Sequence, residues 1–210
     1  MSKENKASGA RTLLLSVLVS APGPLILGLG LMTGRSSTQI ADFVRRTAEL
    51  LGILMAFIVY RITNKEACGE GRRAKLERRS NAFVGAMMCL GGALMVLLTL
   101  FSGAEDKGNV VPALCISGLG LLANSAFWLK YTRLDRKEPN AILRVQSRLY
   151  RAKALVDTCV TGALLSVLIA PESAVSYWLD FLGSLVVALY LVYCGLRTVV
   201  EAVRGSEPEG

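Results

Sequence analysis

Three long stretches without a charged residue constrain this chain more than any other feature of its sequence. They cover residues 12–34, 81–104 and 109–129, and none of them contains Asp, Glu, Lys or Arg. Each is longer than the roughly 18 apolar residues at which a segment indicates a membrane-spanning helix. A soluble helical bundle would need polar residues along one face of each helix. The three stretches therefore predict helices that cross a membrane.

Three further apolar segments contain internal charges, and with the first three they predict an all-α membrane protein with six transmembrane helices. Pro22 and Pro24 should bend or break the first of these helices near its middle. A single transmembrane domain is expected over residues 11–204, between a disordered segment at 1–10 and a polar tail at 205–210. The predicted helices cover residues 12–34, 38–61, 81–103, 109–130, 145–170 and 177–197.

Lysine and arginine are concentrated in alternate connections between these helices. The N-terminal segment and the segments after the second, fourth and sixth helices are rich in them, whereas the other loops hold only Arg35 and Lys107. The positive-inside rule then places both termini in the cytoplasm. This asymmetry explains the formal net charge of +8, which therefore indicates anionic lipid headgroups rather than nucleic acid as the partner. A compact chain without eukaryotic targeting features is expected in the cytoplasmic membrane of a prokaryote.

Charged residues inside the predicted spans are the candidate functional residues. Arg45 and Glu49 lie in the second helix, and Lys153 and Asp157 lie in the fifth. A rise of about 1.5 Å per residue places Glu49 about 18 Å from the cytoplasmic boundary and Asp157 about 21 Å from the outer one. Each such charge costs roughly 3 kcal/mol to insert, so these side chains should face the bundle interior and pair. Asn124 adds a polar group in the fourth helix.

Two acids and two bases allow more than one pairing. Arg45 and Glu49, and likewise Lys153 and Asp157, are four positions apart and can pair within a helix. Across helices, Arg45 can meet Asp157, or Lys153 can meet Glu49. An ion-pair lock between helices and an ion or proton site both agree with these residues.

The pattern resembles the cation diffusion facilitator family, six-helix transporters that exchange divalent metals for protons. The second helix of that family carries AD, followed by a His or Asp, three residues and an Asp, and the matching stretch is ADFVRRTAE at 41–49. The fifth-helix counterpart is KALVD at 153–157, and Asn124 matches a polar asparagine of the fourth helix. The resemblance covers residues 11–204. It implies a six-helix bundle, here expected to lack the cytoplasmic C-terminal domain of the family.

The resemblance places the four metal ligands at Arg45, Glu49, Lys153 and Asp157. Two of these are cations, which have no lone pair to donate while they are charged, and the chain has no histidine. We therefore expect weak or no divalent-metal binding in the resting state, and no resident cofactor. A divalent substrate that did bind would use oxygens of Glu49, Asp157 and Asn124, which favour manganese, magnesium or iron over zinc.

Three functions are consistent with this pattern. The resemblance implies a transporter rather than an enzyme, with no catalytic residue, and the first hypothesis is proton-coupled cation efflux in which a desolvated Lys153 releases a proton. The alternative is a transport-inactive scaffold or regulatory partner locked by its ion pairs. The third is an exporter of small organic or monovalent ions, with Arg45 or Lys153 contacting an anion.

Two secondary expectations concern other polar residues and the oligomeric state. Asp42, on the same face as Arg45 and Glu49, and Asp180 in the sixth helix are secondary polar candidates. The resemblance also implies a homodimer, because members of the family are commonly dimers. Small residues at 91–93 in the third helix would allow close helix contact, either between subunits or inside the bundle.

Overall fold

A computed structural model of the chain describes residues 3–33, 37–64, 69–101, 110–169 and 174–204. The described residues form helices and contain no strand, which confirms the predicted all-α class. α1 and α2 together correspond to the first predicted span, so each of the six predicted spans has a helical counterpart. The helices are α1 (Lys3–Ser20), α2 (Pro22–Thr33), α3 (Ser37–Thr63), α4 (Glu70–Phe101), α5 (Val110–Lys137), α6 (Ala141–Ile169) and α7 (Ala174–Arg204).

The first predicted span is interrupted where its prolines occur. α1 ends at Ser20 and α2 begins at Pro22, so only Ala21 separates them. The amide of Ala21 still donates to the carbonyl of Val17 at 2.9 Å. A proline has no N–H to donate and its ring crowds the preceding turn, so the regular hydrogen-bond pattern stops here.

The outer surface of the bundle is apolar. Long side chains such as Leu25, Leu119, Leu122 and Val186 are each more than half exposed. Such a surface suits contact with lipid, because water-soluble proteins seldom expose large contiguous apolar patches. By length and hydropathy alone, three stretches among the described residues qualify as membrane spans. They are Lys6–Ile26, Glu70–Phe101 and Phe181–Arg204.

Contacts between helices show that the start of α1 and the end of α7 lie at one end of the bundle, here called the terminal end. Gly9, near the start of α1, packs against Tyr60 near the end of α3. The hydroxyl of Ser16, further along α1, lies 2.8 Å from that of Tyr131 near the end of α5. Arg148, near the start of α6, donates from Nη1 to Oε2 of Glu201, near the end of α7, at 2.5 Å. The terminal end therefore holds the starts of α1 and α6 and the ends of α5 and α7. Its assignment to the cytoplasm remains a prediction from the distribution of basic residues.

Residues 3–10 differ from the expectation. They form the first turns of α1, so the prediction of a disordered segment at 1–10 is wrong for this part. A Cβ added at Gly9 would overlap the hydroxyl and ring of Tyr60 in α3, which shows how closely the two helices pack. This packing orders turns that their polar composition alone would leave unstable.

α4 also extends beyond its predicted bounds at the terminal end. It begins at Glu70 rather than at residue 81, and Arg73 Nε pairs with Glu77 Oε1 at 2.9 Å in the added turns. Hydropathy detects only the apolar part of a helix, whereas charged pairs four residues apart continue it into the polar region. The predicted polar tail at 205–210 lies outside the described residues.

α4 and α7 make the most extensive contact between two helices in the bundle, and glycines bring their backbones together. A Cβ added at Gly92 would lie 2.9 Å from the carbonyl oxygen of Ala188 and 3.0 Å from the amide nitrogen of Val192. Gly85 and Gly195 face each other in the same way. Gly92 therefore serves packing inside the bundle, one of the two uses that the sequence allowed.

Gly92→Ala should lower the free energy of unfolding by about 1–3 kcal/mol, because the added methyl group would force α4 away from α7. Thermal unfolding in detergent micelles measures this change. Gly118→Ala is the matched control, since a Cβ added there meets no atom within 4 Å. Equal unfolding midpoints for the two variants would contradict the close approach of α4 and α7.

Candidate functional site

One cavity in the bundle brings the predicted site residues together. It has a volume of about 450 Å³, and its wall includes Arg45 and Glu49 from α3, Asn124 from α5, and Lys153 and Asp157 from α6. Residues of α1, α2 and α7 complete the wall. Side chains from three separate predicted spans therefore share a single enclosure.

A polar stripe along α6 supplies one side of this site. Its members lie one or two helical turns apart, at positions i, i+4, i+7, i+11 and i+15, and so share one face of the helix. The first two members are completely buried, which shows that this face points into the bundle. The stripe consists of Gln146, Tyr150, Lys153, Asp157 and Thr161.

Glu49 is the centre of the charged group. Its Oε2 lies 3.1 Å from Nζ of Lys153, and its Oε1 lies 3.4 Å from Nη1 of Arg45. The three side chains are 8%, 15% and 14% exposed, respectively. Both kinds of pairing that the sequence left open therefore occur: one ion pair lies within α3, and the other joins α3 to α6.

Asp157 has different surroundings from Glu49. Its Oδ2 accepts a hydrogen bond of 2.6 Å from Nδ2 of Asn124, and among the described residues it makes no ion pair. A Cβ added at Gly120 would lie 3.2 Å from the same Oδ2, so the carboxylate rests against the α5 backbone. Gly120 thus makes room for Asp157, a role that nothing in its sequence neighbourhood indicates.

Hydroxyl groups lie further along the same two helices, one turn beyond Asp157 in α6 and two turns before Asn124 in α5. Oγ1 of Thr161 donates to Oγ of Ser117 at 3.1 Å. Thr161 follows Asp157 by four positions in α6, and Ser117 precedes Asn124 by seven in α5, so each shares a face with its neighbour in the site. These two hydroxyl groups extend the polar faces of α5 and α6 beyond Asp157 and Asn124.

An aromatic cluster lies next to Lys153, on the side of the terminal end. Nζ of Lys153 lies 5.3 Å from the centre of the Tyr150 ring, in reach of a cation–π interaction. The Tyr150 ring lies 5.1 Å from Phe127 and 5.4 Å from Tyr131 between centroids, and both tyrosines are fully buried. The Tyr150 hydroxyl lies 3.4 Å from Oγ of Ser20. Sequence reasoning missed Tyr150, because a tyrosine in an apolar helix has no distinctive pattern.

The structure describes the side chain of Arg46 in the site but not the side chains of the two other polar candidates. Arg46, which precedes Glu49 by less than one turn, also lines the cavity, and its Cδ would lie 3.5 Å from a Cβ added at Gly23. Asp42 and Asp180 belong to α3 and α7, but their side chains lie outside the described part of the structure. Their role therefore stays a prediction.

The donor set does not fit a resident divalent metal in this arrangement. Among the described residues, no group of three or more His, Cys, Asp or Glu side chains could hold a metal ion. In the part of the cavity wall that the structure describes, there are two carboxylates and three cationic side chains, those of Arg45, Arg46 and Lys153. A divalent cation would meet these fixed positive charges where the dielectric constant is low and Coulomb interactions are strong.

The relationship to known proteins agrees with the site. Residues 13–205 match the family model of the cation efflux transmembrane domain, a range that contains almost all of the described helices. No curated protein matches the chain. The helices, the cavity and the family match together identify the chain as an integral membrane protein. The chain belongs to the cation efflux family of transporters.

Proposed function

We propose that this protein moves a cation through the central cavity in exchange for protons, and that charge pairs occupy the positions of the usual metal ligands. The observation that carries the proposal is that Arg45, Glu49, Lys153, Asp157 and Asn124 all line one cavity. Transporters place their substrate sites in such enclosures near the middle of the membrane, where ionisable side chains are otherwise costly.

Partner exchange by Lys153 supplies a mechanism for helix movement. Its ammonium group is bound to Glu49 across the helix interface at 3.1 Å, and Asp157 offers a second carboxylate one turn along α6. Transfer of the ammonium group from Glu49 to Asp157 would release α3 from α6 without leaving a lysine unpaired. A bare buried charge would cost several kcal/mol, so such an exchange lowers the barrier to rocking of the bundle.

Purified protein in liposomes tests the proposal. We expect flux of at least one cation among sodium, potassium, magnesium, manganese, cobalt and zinc, driven by an imposed pH gradient. Asp157→Asn should reduce this flux at least tenfold, because it removes a carboxylate from the cavity wall. Glu70→Gln, at an exposed position, is the matched control and should leave the flux unchanged. Absence of flux for every cation would contradict the proposal.

A transport-inactive scaffold or regulatory partner is the second candidate. The supporting observation is that Glu49 holds two cations and ties α3 to α6, which is how an ion-pair lock would look. In the same liposomes, a lock predicts no flux from correctly folded wild-type protein. It also predicts that Lys153→Met lowers stability without changing transport.

For location and assembly, we propose a homodimer in the cytoplasmic membrane of a prokaryote, with both termini in the cytoplasm. Support comes from the terminal end, where α4 begins with several basic residues and α5 ends with Arg136 and Lys137. A C-terminal reporter that is active only in the cytoplasm tests the orientation. Light scattering of the detergent-solubilised protein measures the subunit number.

A further inference from the structure

We propose that the cavity takes a singly charged cation with oxygen ligands, an alkali-metal ion or ammonium, and that Asp157 provides its negative charge. The proposal rests on the cation transport proposed above and names the class of cargo. It follows from the number of carboxylates in the cavity wall that are still free of an ion pair.

Glu49 has no negative charge left to offer. Its two oxygens are engaged by Lys153 at 3.1 Å and by Arg45 at 3.4 Å. A cargo ion at Glu49 would have to displace a tethered cation, which stays close by because its helix holds it there. Glu49 therefore binds the side chains of Lys153 and Arg45 rather than a cargo ion.

Asp157 is the other carboxylate of the wall, and among the described residues it makes no ion pair. Asn124 donates its amide nitrogen to Asp157 Oδ2 at 2.6 Å, which leaves the amide oxygen of Asn124 as an acceptor. The Ser117 hydroxyl accepts from Thr161 at 3.1 Å and donates to the carbonyl of Leu114 at 3.1 Å, so one lone pair remains. Among the described residues, the wall thus offers one carboxylate without an ion pair, together with neutral oxygens.

These oxygen groups and the nearby cationic side chains favour a cargo ion of a particular charge and a particular ligand preference. Because three cationic side chains already outnumber the two carboxylates among the described residues of the wall, a singly charged ion beside Asp157 meets less repulsion than a divalent ion does. Carboxylate, amide and hydroxyl oxygens suit hard cations, and histidine, which favours zinc, is absent from the chain. A hard cation of charge +1 therefore fits the cavity better than a divalent metal does.

Tryptophan fluorescence tests the assignment directly. The chain has two tryptophans, so Trp178→Phe leaves Trp128 as the single reporter, one helical turn from Asn124 in α5. This single-tryptophan protein is titrated in detergent with sodium, potassium or ammonium chloride at constant ionic strength, balanced with N-methylglucamine chloride. Magnesium and zinc chlorides are titrated in parallel. We expect a saturable change for at least one singly charged cation, with an affinity at least tenfold higher than for either divalent ion.

Variants in the same single-tryptophan background assign the site. Asp157→Asn should abolish the saturable change, and Asn124→Ala, which keeps the charge, should weaken it about tenfold. Glu70→Gln should bind as the parent does, since Glu70 is exposed at the start of α4. If Asp157→Asn does not fold, Asn124→Ala still decides, because an unaltered affinity in this variant would overturn the assignment.

The outcomes separate this inference from the proposed function. Saturable binding of a divalent ion with none for any singly charged cation would overturn the inference, as would binding that persists in Asp157→Asn. Divalent flux in liposomes together with that result would leave the transport proposal intact. Conversely, tight binding of a singly charged cation without flux would support the cargo class and overturn transport.

Discussion

Lys153→Asp is expected to create a divalent-cation site in the cavity. Nζ of Lys153 lies 3.1 Å from Glu49 Oε2, in the place that a bound cation would occupy between α3 and α6. A shorter, acidic side chain vacates this place and changes the formally neutral set of Arg45, Glu49, Lys153 and Asp157 to one with two net negative charges. We expect manganese affinity to rise at least tenfold, or by about 1.4 kcal/mol or more.

Isothermal titration calorimetry with manganese measures this gain, and thermal unfolding with and without manganese confirms that the variant is folded. Lys153→Met removes the positive charge without adding a ligand and should give an intermediate affinity. Lys75→Asp makes the same change at an exposed position of α4 and should give no gain. A folded Lys153→Asp protein with wild-type manganese affinity would show that the lysine does not stand in for a metal.

Glu49→Gln should be the most destabilising conservative change in the chain. The substitution keeps the size of the side chain but removes the carboxylate that pairs with Lys153 and Arg45, which are 15% and 14% exposed. Removal of one partner from a buried ion pair typically costs about 3–5 kcal/mol, because the remaining charge is uncompensated. Denaturant unfolding in mixed micelles measures the difference from wild type.

A second substitution shows whether charge is the cause. Glu49→Gln combined with Lys153→Met removes both members of the cross-helix pair and should recover a large part of the lost stability. Glu201→Gln provides the comparison at an exposed site, where Glu201 is 46% exposed and pairs with Arg197 and Arg148. Its cost should be about 1 kcal/mol or less. Additive effects of the two substitutions at the central site would contradict a direct interaction between them.

Helix number and class were predictable because they depend on local composition. The uncharged stretches identify the apolar core of each helix, and Pro22 predicts the break after Ser20 that the structure contains. Helix ends were less predictable. Residues 3–10 are polar and looked disordered, yet Gly9 packs closely against Tyr60 of another helix. Packing of this kind depends on a partner that is distant in the sequence.

Four of the five charged residues described in the cavity wall were predictable from the sequence, and Arg46 is the one that was not. Charges inside an apolar helix must face the interior, and the periodicity of the helix then selects Arg45, Glu49, Lys153 and Asp157. Their pairing was left open, since spacing allows contacts within a helix and composition allows contacts across helices.

These pairings depend on how the helices pack against one another. The position of α6 against α3 brings Lys153 to Glu49, and the backbone of α5 at Gly120 leaves room for Asp157 beside Asn124. The physical reason is that an ion pair requires atoms within about 4 Å, a distance set by how whole helices pack. Sequence periodicity gives the face of a helix, whereas the packing of its neighbours determines which charge meets which.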